Sequence, residues 1–177
     1  MNNKYTTTAI ILHWLMALLI FAVIPLGFYM SDLKLSPVKL QLFSYHKWAG
    51  ITLLMLAALR MLWRIINAPP PQLIARWQQT ASGLLHLALY ALLLAVPMSG
   101  WLMSSAKGFK TVLFGVLPLP DLVEKNKELG HLLENMHQIL NYLLLSLIAA
   151  HIAAALWHKF IAKDEVMNRM LPKGKRA

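Results

Sequence analysis

The fold predicted by this 177-residue sequence is all-α, an integral membrane four-helix bundle. Three observations predict it. Hydrophobic side chains make up 58% of the chain and the mean hydropathy is +0.55, above the roughly one-half apolar content of a soluble domain. The apolar residues gather in four stretches, at about 9–30, 42–66, 81–103 and 139–161, each long enough to cross about 30 Å of hydrocarbon. None of them alternates as a barrel strand does, and in lipid an unclosed chain satisfies its backbone only as helix.

The whole chain, 1–177, reads as a single membrane domain, because four spans with short connections leave no room for a separate soluble one. The connections are 31–41, a proline-rich 67–79 containing Pro69, Pro70 and Pro71, and a longer 104–138. Within the last, residues 121–134 mix charges with Leu122, Val123, Leu129, Leu132 and Leu133 at helical spacing, which predicts a short amphipathic helix resting on the outer surface. Pro25 and Pro97 fall inside spans and predict kinks. The six tryptophans sit mostly near span ends, as an interfacial belt does.

The formal charge of +10, from 17 Lys and Arg against 7 Asp and Glu, suggests nucleic acid in a soluble protein. In so apolar a chain it reports topology instead, and no basic run interleaved with aromatics supports a nucleic-acid partner. Lys4, Arg60, Arg64, Arg76, Lys159, Lys163, Arg169, Lys173, Lys175 and Arg176 share one side with only Asp164 and Glu165; the other side carries seven positives and five acids. The positive-inside rule puts both termini in the cytoplasm and the long third connection outside, which is the periplasm if the source is a Gram-negative bacterium and the membrane its inner one. The polar start, with Lys4 as its only base and no small-residue cleavage site after the apolar run, does not predict a cleaved signal. The absence of cysteine excludes disulfides, thiolate-bound clusters and covalently attached c-type haem.

Five of the seven histidines, His13, His46, His86, His137 and His151, fall in or at the ends of spans. One histidine there can simply bond a neighbouring helix. Five across all four helices point to function, because ionisable groups are costly in hydrocarbon. His137 and His151 are 14 residues apart, which puts them within about 40° of one face and about 21 Å apart along the axis. One helix thus offers ligands at two depths, and a six-coordinate haem needs a second ligand at each. His46 matches His137 at the outer level. At the inner level His13 and His86 both match His151, and depth alone does not choose between them. Two histidines per level without carboxylates suit haem iron better than zinc, which gathers three or four ligands. Gly27, Gly50, Gly83 and Gly100 offer either close helix approach or clearance for a macrocycle.

The ordered set His13-Trp14, His46-Lys47-Trp48-Ala49-Gly50, Arg60 to Trp63-Arg64, His86 to Tyr90, Pro97-Met98-Ser99-Gly100-Trp101, and His137 with His151 resembles the bacterial cytochrome b561 family over nearly the whole chain. The resemblance implies two b haems between the helices, with the fourth helix's histidines paired to His13 and His46, which favours His13 over His86. It also implies electron transfer from an external donor to ubiquinone, with superoxide as the donor in the stand-alone branch. Other relatives imply the alternative, a haem-bearing anchor subunit of a partner dehydrogenase. Lys34, Lys39 and Lys47 beside His46 are compatible with a small anionic donor. Arg60 and Arg64 suit haem propionates or simple anchoring at the inner face. His158, seven residues beyond His151 and within about 20° of its face, is the candidate quinone contact and proton donor.

Overall fold

The computed structural model describes residues 4–71 and 74–171; Lys173, Lys175 and Arg176, counted above for topology, lie outside them. Four long helices account for most of it: α1 (Thr7–Asp32), α2 (Pro37–Ile66), α3 (Arg76–Ala106) and α4 (Lys127–Trp157). All four are long and apolar enough to span a membrane. Each reaches beyond the stretch that hydropathy marks, because its ends are built from polar caps rather than apolar residues. Thr6 Oγ1 accepts from the Ala9 amide at 3.3 Å, Ser36 Oγ from Lys39 at 3.2 Å with Pro37 in the first helical position, and Asn126 Oδ1 from Leu129 at 3.0 Å. Such caps are worth about 1 kcal/mol each. At the start of α3 the Gln78 side chain instead accepts from the Ala75 amide at 3.0 Å.

The helices form an antiparallel meander in which α2 packs on α1, α3 on α2, and α4 on α3. Met16, Val23, Leu53 and Ala57 form one buried cluster between α1 and α2; Leu89, Val96 and Leu144 form another between α3 and α4, with Ile24 of α1 reaching it. Ring contacts bridge α1 and α4: Phe28 to Tyr142, with centroids 5.9 Å apart, and His13 to His151. The outward faces carry Leu18, Phe21, Ile65, Leu87 and Leu143, all exposed. Such a girdle would be an aggregation surface in water and is a lipid face in a membrane.

One expected element differs. Residues 127–134 do not form a separate helix lying on the surface; they are the first two turns of α4, and 121–126 are not helical. Asn126 caps the helix and Glu128 occupies its first turn, where an acid favours the dipole. The start of α4 is then tied to the end of α3. The Asn126 amide donates to the Ala106 carbonyl at 2.9 Å, Lys107 pairs with Glu134 at 2.8 Å, and Gly130 lies so close to Lys107 that a Cβ there would meet its Cγ at 2.9 Å.

Between α3 and α4 runs a two-stranded antiparallel hairpin, β1 (Val112–Leu113) and β2 (Leu117–Pro118). Its turn places Phe114 at φ 52° and Gly115 at φ 74°. Side chains of α2 hold it down: Trp48 Nε1 donates to the Val112 carbonyl at 2.6 Å and Lys47 Nζ to that of Lys110 at 2.9 Å. Other belt tryptophans likewise fasten the connections. Trp101 donates to the Pro120 carbonyl at 3.2 Å, Trp63 to Thr6 Oγ1 at 2.9 Å and Trp14 to the Met170 carbonyl at 2.9 Å. At the end of the bundle that carries both termini, α4 runs into a π-helical turn, His158–Ala162, and a 3-10 turn, Met167–Met170. The buried Arg169 of that segment donates from Nη1 to the Pro71 carbonyl at 2.6 Å.

Candidate functional site, two layers of paired histidines

The helices bring the five span histidines into two layers. In the layer away from the termini, the one expected to be outer, His46 of α2 faces His137 of α4, ring centroids 6.4 Å apart and planes at 83°. In the inner layer both His13 of α1 and His86 of α3 approach His151 of α4, at 6.1 Å and 5.4 Å. The structure thus gathers all three inner histidines. They do not converge on one point: among the described residues no group of three or more His, Asp or Glu side chains is arranged as a metal-ion site.

The tautomer of His137 follows from its partners. Nδ1 lies 3.0 Å from the Val96 carbonyl, which can only accept, so Nδ1 carries the proton. The Ser99 hydroxyl donates to that same carbonyl at 2.7 Å and offers its oxygen to Nδ1 at 2.9 Å, completing a triangle in which every hydrogen has a place. Nε2 is left with its lone pair bare, the form in which imidazole binds a metal. His46 Nδ1 is buried without a well-formed hydrogen bond, with the Val23 carbonyl as the backbone acceptor within its reach.

The inner layer is bordered by cations. Arg60 donates from Nε to the Tyr90 hydroxyl at 3.1 Å and from Nη1 to the Ala9 carbonyl at 3.0 Å, and the Arg64 guanidinium lies over the Tyr90 ring, 5.7 Å from its centroid. Tyr90 is therefore a hub that sequence spacing alone does not single out. The outer lysines are less free than the sequence suggests. Lys47 Nζ reaches the Lys110 carbonyl and, at 3.4 Å, Ser104 Oγ, while Lys39 Nζ donates to the Ser31 carbonyl at 3.1 Å.

His158 caps the end of α4, where its Nδ1 pairs with Asp164 Oδ2 at 2.6 Å and its ring stands edge-on to Trp157. The return of the chain through Lys163, at φ 53°, makes this pairing possible. Burial pushes the Asp164 carboxyl up, but the Val166 amide, His158 and Arg169 outweigh it and hold the group below its ordinary value. Sequence spacing points to His158 but not to this partner, because a carboxylate six residues on, beyond a helix end, has no helical spacing to reveal it.

The sequence matches the profile of the prokaryotic cytochrome b561 family over residues 4–173. It is 33% identical to cytochrome b561 homolog 2 of Escherichia coli (strain K12) over 97% of this chain and 93% of the relative, and 33% identical to homolog 1 of the same organism over 98% and 99%. It is 28% identical to a protein named probable superoxide oxidase CybB from Yersinia pestis, over 98% of both chains. The match runs through every span and both histidine layers, and with the four-helix bundle it shows that this chain belongs to the prokaryotic cytochrome b561 family, bacterial membrane oxidoreductases that bind b-type haem.

Proposed function

We propose that the chain holds two b haems, one per histidine layer, and passes electrons from a donor outside the membrane to ubiquinone near the inner layer. The observation that carries this reading is the spacing of the paired rings. Two imidazoles bound through one nitrogen each to opposite faces of a metal ion stand with centroids roughly 6 Å apart, for metal–nitrogen bonds of about 2 Å. His46 with His137 at 6.4 Å and His13 with His151 at 6.1 Å fit that spacing, and His86 with His151 at 5.4 Å falls short of it. His46 and His137 would then hold the outer haem and His13 and His151 the inner one, with His86 beside the inner pair. The bare Nε2 of His137 supports the same assignment.

When bound, b haem supplies a one-electron couple at its iron. The chain's own part is placement. His137 is locked by Val96 and Ser99, Arg60 and Arg64 set positive charge beside the inner layer, and the lipid-facing girdle keeps water from the layers between. The name of the Yersinia pestis relative favours superoxide as the donor, and the lysines near His46 favour a small anion. Two superoxide anions each give one electron and leave as dioxygen; one quinone takes both electrons and two protons to become quinol. His158 is the proton donor in this reading. Asp164 accepts from Nδ1–H, so Nε2 is the ring nitrogen available to a quinone carbonyl; it donates there from the doubly protonated ring, and the second proton of the quinol comes from the cytoplasmic water.

The positive-inside charge bias supports cytoplasmic termini and an inner-membrane location. The test is quinone reduction by the purified chain supplied with superoxide and no other protein. Superoxide-dependent quinol formation is the expected result. Reduction only when a soluble dehydrogenase is added would make the chain a haem-bearing anchor subunit instead.

A further inference from the structure

Four glycines lie in the spans of α1, α2 and α3, and two of them differ from the rest in what faces them. A Cβ on Gly27 of α1 would stand 2.9 Å from His46 Cε1 and 3.4 Å from its Nδ1; one on Gly100 of α3 would stand 3.0 Å from His137 Cε1 and 3.4 Å from its Nδ1. A Cβ on Gly50 or Gly83 would meet nothing within 4 Å. The carbonyl facing each ring belongs to the residue four positions earlier, Val23 for His46 and Val96 for His137. The two helices that contribute no histidine to the outer layer thus each present it with the same device, a bare glycine and, one turn before it, an acceptor carbonyl.

We propose that Gly27 and Gly100 are positioning residues of the outer layer: by lacking a side chain they let the imidazoles of His46 and His137 lie against the α1 and α3 backbones, where the Val96 carbonyl and Ser99 Oγ hold Nδ1 of His137, the Val23 carbonyl lies on the Nδ1 side of His46, and Nε2 of each ring is left to turn toward the opposite ring. This rests on the reading of His46 and His137 as axial ligands. Hydrogen bonding at Nδ1–H fixes the ring's orientation and raises its basicity toward a metal. Because His137 has two acceptors and His46 none of good geometry, the two sides of the outer haem are held unequally. The 83° between the ring planes is then set by the two glycine ledges.

The test reads ligand orientation rather than turnover. Low-spin ferric haem with two imidazoles has an electron paramagnetic resonance signal that depends on the angle between the ring planes, and each haem's potential can be titrated separately. In Gly100→Ala and Gly27→Ala, the outer haem is expected to be lost from a chain that keeps the inner one, or its signal displaced, whereas Gly83→Ala leaves it in place. Ser99→Ala, which adds no bulk, keeps both haems and raises the outer potential alone, because the weakened ligand favours ferric iron less. Unchanged outer signals in both glycine variants, or an unchanged outer potential in Ser99→Ala, overturn the proposal while the axial assignment stands. Wild-type protein without any bis-imidazole signal overturns the axial assignment, and the positioning role with it.

Discussion

Arg60 of α2 ties three helices at the inner layer, through its Nε to the Tyr90 hydroxyl of α3 at 3.1 Å and its Nη1 to the Ala9 carbonyl of α1 at 3.0 Å. Replacing it leaves a partly buried hydroxyl without its donor and a gap between helices. Arg60→Ala is expected to cost about 1–3 kcal/mol, read as a lower midpoint of thermal unfolding in detergent, and Tyr90→Phe is expected to cost less. An unchanged midpoint for Arg60→Ala would show the tie to be incidental.

The proposed ligand set divides by layer. His137→Ala or His46→Ala should remove the outer haem, and His151→Ala or His13→Ala the inner, leaving roughly one haem per chain, because an axial ligand is half of each site. His86→Ala should keep both. Haem-to-protein ratios check this, and loss of a haem from His86→Ala with retention in His13→Ala would reassign the inner layer.

Topology is open to reporter fusions. A reporter after Ala177 should be cytoplasmic, and one placed in the hairpin turn at Phe114 and Gly115 external, as the charge bias requires. Reversed locations would invert the direction of electron flow and leave the histidine pairing untouched.

His158→Ala should slow quinone reduction several-fold while both haem spectra and reduction by the outer donor stay intact. Asp164→Asn should slow it less, since the amide oxygen can still accept from Nδ1 and orient the imidazole. Wild-type quinone kinetics in His158→Ala would remove this residue from the quinone site.

Much of this architecture is legible in the residues, and the parts that are not have physical causes. The two layers follow from His137 and His151 lying 14 residues apart on one helix, since 3.6 residues per turn returns them to nearly the same face. Spacing does not choose between His13 and His86, because both sit at the inner depth; the family resemblance favours His13, and the ring distances support that proposal. The full length of α4 is missed because Lys127, Glu128 and Glu134 depress hydropathy just where Asn126 supplies a helix start. The hairpin of two-residue strands is too short to leave a pattern. Among the glycines, the sequence shows four equivalent small residues; which of them faces a histidine is a matter of tertiary packing, and only Gly27 and Gly100 do.

The most direct measurement is the absorption spectrum of the purified chain, taken reduced and oxidised, together with its haem-to-protein ratio. Two haems per chain, with the sharp bands of reduced low-spin b haem, are the expected result, since each layer contains a pair of imidazoles at the spacing one iron needs. A chain that is fully folded yet carries no haem, or only high-spin haem lacking a second axial ligand, would contradict the assignment of His13, His46, His137 and His151.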